Sequence, residues 1–186
     1  SLQRFDAGLN VWQALTLTDG LGADQVLAAT GQGSLQWLLV QQADGMAVVA
    51  ARIADNTLRL QQRHTLPPSL AGPRIGMLGN ELLLAATGAD GQPRLQAMNP
   101  QGIWRELTAW PGQQPATAVA SSRGAVFVAT ADGQLLRHTR DDGWQTLPDA
   151  GGVIAANALR PLGQAHLMAL VQPASGPALL RSFHTI

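Results

Sequence analysis

The chain has 186 residues, enough to bury one sizeable core, and 46% of them are hydrophobic. Twelve basic side chains balance twelve acidic ones, with no run of one sign to attract nucleic acid or anionic lipid, so neither is expected as a partner. The absence of cysteine excludes disulfides, thiolate metal sites and a cysteine nucleophile.

In chain order, Leu2 to Phe5 and Val11 to Leu17 read as two short strands, the second carrying the tetrad Trp12-Gln13-Ala14-Leu15. The tetrad returns at Trp104-Arg105-Glu106-Leu107 and Trp144-Gln145-Thr146-Leu147, with Arg63-His64-Thr65-Leu66 in the gap, at intervals of 51, 41 and 40 residues. A second marker keeps step with it: Ala43-Asp44-Gly45, Ala89-Asp90-Gly91, Ala131-Asp132-Gly133 and Ala174-Ser175-Gly176, spaced by 46, 42 and 43 residues. Two independent markers sharing one period identify a repeat architecture. Asp-Gly between two apolar runs predicts a hairpin through a type I′ turn, with positive φ at both central residues.

Each interval resolves into four short apolar segments, a to d, parted by Gly, Pro, Asn and Asp, and none suits a helix. Full repeats span about 23–69, 73–111 and 115–149, flanked by partial repeats at 1–17 and 153–184. Segment b is the most apolar (Gln36 to Gln41, Leu82 to Thr87, Val126 to Thr130, Leu167 to Val171), as expected of a strand buried on both faces. Segment c, as in Leu135 to His138 and Leu179 to Ser182, is mixed and belongs nearer an outer edge. Segment d carries the tetrad, whose Trp and Leu share one face only if the strand twists or bulges between them. The expected fold is all-β: a β-propeller domain over 1–186, of four-stranded antiparallel blades, about four in this sequence. Both ends fall inside a blade, so the sequence is also read as part of a larger propeller. No basic and apolar leader stands at Ser1, so any targeting segment is expected outside it. The longest apolar runs, Leu82 to Ala86 and Ala125 to Ala129, fall far short of the roughly 20 residues that span a bilayer, so no membrane insertion is expected.

The order of Gly-containing turn, apolar strand, Asp-Gly turn, c strand, polar turn and Trp-x-x-Leu-Pro resembles kelch repeats, best seen from Gly124 through Arg137 to Trp144 and Pro148. Ala86-Thr87 and Ala129-Thr130 stand where kelch repeats place paired glycines. Among kelch-like bacterial propellers the chain is most similar to the sialic-acid epimerase and cyclically permuted mutarotase group. That resemblance implies a periplasmic or extracellular location, a carbohydrate ligand, and Arg and Glu side chains in a central channel. Only Glu81 and Glu106 are available, and neither matches that site, so no catalytic residue is carried over. Ala131 to Arg137 also resembles the Gly-x-Leu-x-Arg arrangement of sensor propellers in bacterial two-component regulators.

His64, His138, His166 and His184 have no partner at metal-ligand spacing, and the Asp residues sit mainly in turns, as at Asp55-Asn56 and Asp141-Asp142-Gly143. No metal and no cofactor is expected; Gly31-Gln32-Gly33 lacks the helix and third glycine of a dinucleotide site. The tetrad residues Trp12, Trp104 and Trp144 are assigned to sealing blade against blade, and Arg63 must find a partner or water. In a propeller the d-to-a connections and b-to-c turns share one face. The connections here are Thr18-Asp19-Gly20, Pro67 to Arg74, Trp110-Pro111-Gly112 and Pro148-Asp149-Ala150. Arg74, a fork for a carboxylate, and Trp110, an aromatic face for a sugar or peptide, are the candidate ligand-binding residues. The expected function is a non-catalytic propeller binding a protein partner or a small carbohydrate-like ligand. The alternative is an epimerase- or mutarotase-like enzyme, or the sugar-sensing propeller of a symporter or sensor protein.

Overall fold

Turn chemistry decides where each strand ends. Arg123 (φ 52°) with Gly124 (φ 77°), and Asp55 (φ 50°) with Asn56 (φ 56°), are left-handed pairs that join Ser122 to Ala125 and Ala54 to Thr57. These are two-residue turns with positive φ at both centres, whose twist matches the strands they connect. The Asp-Gly turns are not of this type, which corrects the expectation. At Ala89-Asp90-Gly91 and Ala131-Asp132-Gly133 only the glycine is left-handed (φ 74° and 89°). The Gly91 N–H donates to Gly88 O (3.0 Å) and the Gly133 N–H to Thr130 O (3.0 Å), so the alanine adds a third loop residue before the left-handed glycine. The aspartates close these loops: Asp90 Oδ1 accepts from the Gln92 N–H (3.0 Å), and Asp132 from the Thr130 hydroxyl (2.6 Å) and Gln134 Nε2 (3.1 Å).

The computed structural model describes residues 2–6, 8–17, 25–163 and 165–185, and every helix-length or strand-length element among them is a β-strand. Among the described residues no helix is long and apolar enough to cross a membrane. The chain divides into two compact units, Ser1–Pro68 and Ser69–Ile186. In the first, β1 (Gln3–Asp6) and β2 (Val11–Ala14) form a hairpin, and β3 (Thr16–Leu17) runs parallel to β7 (Thr57–Thr65). The segment expected as one d strand thus serves two sheets. It breaks at Leu15, whose N–H donates to Leu2 O (3.0 Å), while the next N–H, of Thr16, donates to Asn56 O (3.0 Å). β4 (Gln25–Gln32), β5 (Leu35–Gln42), β6 (Gly45–Ala54) and β7 form an antiparallel blade, with β3 extending its edge in the order β3-β7-β6-β5-β4.

The second unit holds three sheets. β8 (Ala71–Leu78), β9 (Glu81–Thr87), β10 (Pro93–Met98) and β11 (Trp104–Leu107) make one blade, and β12 (Ala116–Ser122), β13 (Ala125–Thr130), β14 (Leu135–Thr139) and β15 (Gly143–Thr146) the next. β16 (Val153–Leu162), β17 (His166–Gln172) and β18 (Leu179–His184) form a sheet of three. Neighbouring strands are antiparallel and follow chain order from a to d, and the fold is a β-propeller.

Alternation along β13 explains how the blades of this unit stack. Phe127 and Ala129 point into one core with Ile154, Leu159, Leu167 and Val171, while Val126 and Val128 point into another with Leu83, Leu95 and Val119. All six residues of β13 are buried, as both-face burial requires. β17 departs from that expectation: Leu167, Ala169 and Val171 are buried, but Leu170 on its other face is 40% exposed. Tetrad residue Trp144 fits its assigned role, packing on the Leu83 core and donating from Nε1 to Thr108 O of the preceding blade (3.2 Å). Trp12 does not, being 67% exposed on a hairpin that forms a sheet of two strands among the described residues. Trp144 and Leu147 are both half-buried around exposed Gln145 and Thr146, because β15 ends at Thr146 and the Leu147 N–H bonds to Leu135 O (2.8 Å) beyond it.

Inner strands β8 and β12 approach closely. Ser121 Oγ donates to Met77 O (2.6 Å), and a Cβ added to Gly76 would stand 2.5 Å from the Val119 carbonyl oxygen. The Gly76→Ala variant should therefore lose about 1–3 kcal/mol in urea unfolding. An unchanged midpoint would mean that the inner strands part freely.

Candidate functional site

Every a strand starts irregularly. Register shifts fall between Val26 and Ala28 in β4, Ala71 and Arg74 in β8, Ala116 and Ala118 in β12, and Ile154 and Leu159 in β16. Such bulges re-aim side chains. In the second unit they put polar groups among the inner strands: Arg74 Nε donates to Ala116 O (3.3 Å), and the Asn157 amide oxygen accepts from the Ile75 N–H (3.4 Å). Arg74 also donates from one terminal nitrogen to Pro73 O (3.4 Å). It is half-buried, and desolvation draws its pKa below the ordinary arginine value. A guanidinium has five donors, so Arg74 keeps donors beyond these two bonds.

Trp110 is placed differently from an open aromatic platform. Its side chain is 2% exposed, packs with Leu83, Val119 and Val128, and donates from Nε1 to Gln114 O (3.0 Å). It plugs the top of the core between the first two blades of this unit. The next connection carries Ala150 at the matching position, since Trp110 and Ala150 each lie six residues past their tetrad Trp. Ala150 is also buried, against Phe127 and Ile154. Its methyl group is much smaller than an indole, so this connection carries less bulk at the mouth of that core.

A cleft of about 570 Å³ lies at that mouth. Its walls are the d-to-a connection (Asp149, Gly151, Gly152) and two b-to-c turns, Asp132-Gly133 on one side and Gln172-Pro173-Ala174 on the other. Sequence reasoning named the Pro148-Asp149-Ala150 connection but chose no residue in it; only the contrast between Trp110 and Ala150 signals the opening. The walls are fixed from within. The Gly151 N–H donates to Asp149 Oδ1 (2.8 Å), Arg181 donates to Ala150 O (3.0 Å), and Gln172 Nε2 to Gly176 O (3.1 Å). Gly152 must be glycine, because its φ is 150° and a Cβ would collide with the Gln172 carbonyl. The exposed surface offers carboxylate and backbone hydrogen-bonding groups to a polar ligand. Thr18-Asp19-Gly20, the first connection on the predicted face, lies outside the described residues.

The acid–base groups are occupied elsewhere. Arg105 grips Glu81 through two hydrogen bonds (3.2 and 2.5 Å), and Gln96 Nε2 donates to Glu106 (2.6 Å). Glu81 opens β9, opposite Leu78 at the end of β8, and Glu106 lies on outermost β11. Arg105 and Glu106 line a second cleft, of about 520 Å³, with His138 and Arg140. Among the described residues no three His, Cys, Asp or Glu side chains converge as a metal site.

No family model matches the chain, and no curated protein matches it in sequence. Solved structures do. The computationally designed Ika4 protein is 19% identical at a TM-score of 0.52, over 92% of this chain and 98% of that one. YCF48 bound to D1 peptide is 14% identical at 0.57, and TolB from Acinetobacter baumannii 13% identical at 0.63. The match to YCF48 covers 94% of this chain and 53% of that one, and the match to TolB 87% and 41%. The chain therefore spans about half of the first protein's length and less of the second's. At these identities the likeness establishes the fold.

The Glu81–Arg105 pair yields a pH test. Hydrogen bonding from Arg105 holds the Glu81 carboxyl below its ordinary value, against a smaller opposing effect of burial. A carboxylate with a lowered folded pKa stabilises the fold above its unfolded pKa and stops doing so as pH falls through the lowered value. Because Arg105 is half exposed and screened, Glu81→Gln should cost only about 0.5–1 kcal/mol at neutral pH. Denaturation curves of the two proteins should converge in strongly acidic solution; a gap persisting there would assign the loss to packing.

Proposed function

We propose that this chain is a non-catalytic binding propeller that holds a peptide segment of a partner protein in the loop-face cleft beside Asp132, Asp149 and Gln172. The observation that carries the reading is the cleft itself, roomy and edged by Asp132, Asp149 and Gln172, where the preceding repeat is plugged by Trp110. A peptide suits it because the walls present backbone groups and carboxylates, which pair with main-chain amides and with basic side chains. The YCF48 structure, solved with a peptide bound, supports the same class of ligand. Arg74, with donors to spare among the inner strands, is a secondary contact for a carboxylate, and Trp110 contributes by fixing the neighbouring connection. The kelch-like order of residues 124–148 and a periplasmic or extracellular location belong to the same proposal, on the resemblance alone.

The alternative, a sugar epimerase or mutarotase, needs a carboxylate or arginine that moves protons at the axis. The engagement of Glu81 in an ion pair with Arg105, and of Glu106 in an amide contact on outermost β11, supports binding over catalysis.

A random-peptide display screen against the wild-type chain tests the reading. Ala174→Trp, which fills the cleft from an exposed position, should weaken the selected peptides at least about tenfold, while Arg105→Ala on the other cleft should leave them unchanged. Arg74→Gln should weaken only peptides that carry a carboxylate. Peptides indifferent to Ala174→Trp would remove the cleft from the proposal, and sialic-acid mutarotation well above background would replace binding with catalysis.

A further inference from the structure

His166 and His184 are far apart in sequence, yet the register of β17 and β18 sets them directly opposite one another. Their ring centres are 4.8 Å apart and their planes stand at 89°. The neighbouring position carries a ladder bond, from the Thr185 N–H to Ala165 O (2.8 Å). Ladder bonds in an antiparallel pair fall at alternate positions, so His166 and His184 form a non-hydrogen-bonded pair, where facing side chains come closest. His184 is exposed and His166 half-buried, so the pair is reached from solvent.

We propose that His166 and His184 form a two-imidazole chelate for a divalent first-row transition-metal ion of the zinc and copper class. Imidazole suits these ions, which sit about 2.0–2.1 Å from the ligating nitrogen. With each ring centre about 1.1 Å beyond that nitrogen, two imidazoles at angles of about 90–110° around one ion place their ring centres about 4.5–5.3 Å apart. The observed 4.8 Å lies inside that interval. Turning the rings about the broad torsion next to the imidazole aims their nitrogens at one point without moving the strands. No third His, Cys, Asp or Glu joins them among the described residues, so water completes the coordination sphere and the site stays open to an outside ligand. The ion would clip β18, the terminal strand of its three-stranded sheet, to β17.

Titration of zinc chloride, and separately copper chloride, into the whole chain by calorimetry tests the proposal, with thermal unfolding measured in parallel. One ion per chain should bind with micromolar affinity, and saturating metal should raise the melting temperature because it binds the folded state. His184→Gln, at an exposed edge position, and His166→Ala should each weaken binding at least about tenfold and abolish the thermal shift. His138→Ala, at a histidine tilted against Trp144 in another blade, should change neither. The proposal is overturned if no ion binds, or if His184→Gln binds as tightly as the wild type. Circular dichroism of His184→Gln without metal should match the wild type, and that variant alone decides if His166→Ala perturbs the strand.

Discussion

The close approach of β8 to β12 is the constraint on which the second unit is built. Strands that are not hydrogen-bonded into one sheet normally keep their backbones apart by the width of their side chains. Here Gly76 removes that width, and the backbone of β8 settles against the Val119 carbonyl. The Ser121 hydroxyl then reaches Met77 O, so the core between these two blades is narrow at its inner end. Leu83, Leu95 and Leu136, on strands further from the inner edge, fill the same core outward. Small inside and large outside is a wedge, and wedge-shaped contacts are what sheets arranged around an axis require.

The same wedge accounts for the cleft. Each d-to-a connection must cap the core between two blades, and the volume at the capping position decides whether the cap is flush. Trp110 fills its position and spends its indole N–H on Gln114 O, so that connection is closed both sterically and in hydrogen bonding. Ala150 is equally buried but much smaller, and glycines 151 and 152 hold the backbone down against Gln172 and Arg181. The connection at Ala150 thus borders a cleft, where the one at Trp110 is closed.

The blades were legible in the sequence because turn signals and tetrads are local and recur. Three b strands are buried as their composition predicts, and the a-to-d order follows directly from short antiparallel connections. What the sequence could not disclose depends on register and volume. The Asp-Gly turns at Asp90 and Asp132 differ from expectation by one loop residue, which hydrogen bonding across the hairpin decides. Trp12 carries the tetrad signature yet stands exposed, on a sheet of two strands among the described residues. Trp110 looked like a ligand platform because aromatic residues in loops often are, but its six-residue offset from Trp104 makes it part of the core. His166 and His184 looked isolated because spacing rules for helices and loops miss a pair created by strand pairing.

Function in this chain is therefore sought where the repeat is broken. A regular blade buries its apolar faces and pairs its backbone, leaving little chemistry available. The irregular places are the bulges that open each a strand, the Ala150 gap, and the terminal sheet with its exposed second face. Arg74 follows the first of these, the cleft occupies the second, and the histidine pair sits on the third. Each irregularity gives up some packing or pairing, and each holds polar groups in fixed geometry. A partner that engages the cleft contacts two b-to-c turns and one connection at once. In the proposed reading its affinity depends on the angle between the two sheets that supply those turns, which the Phe127 core between them holds fixed.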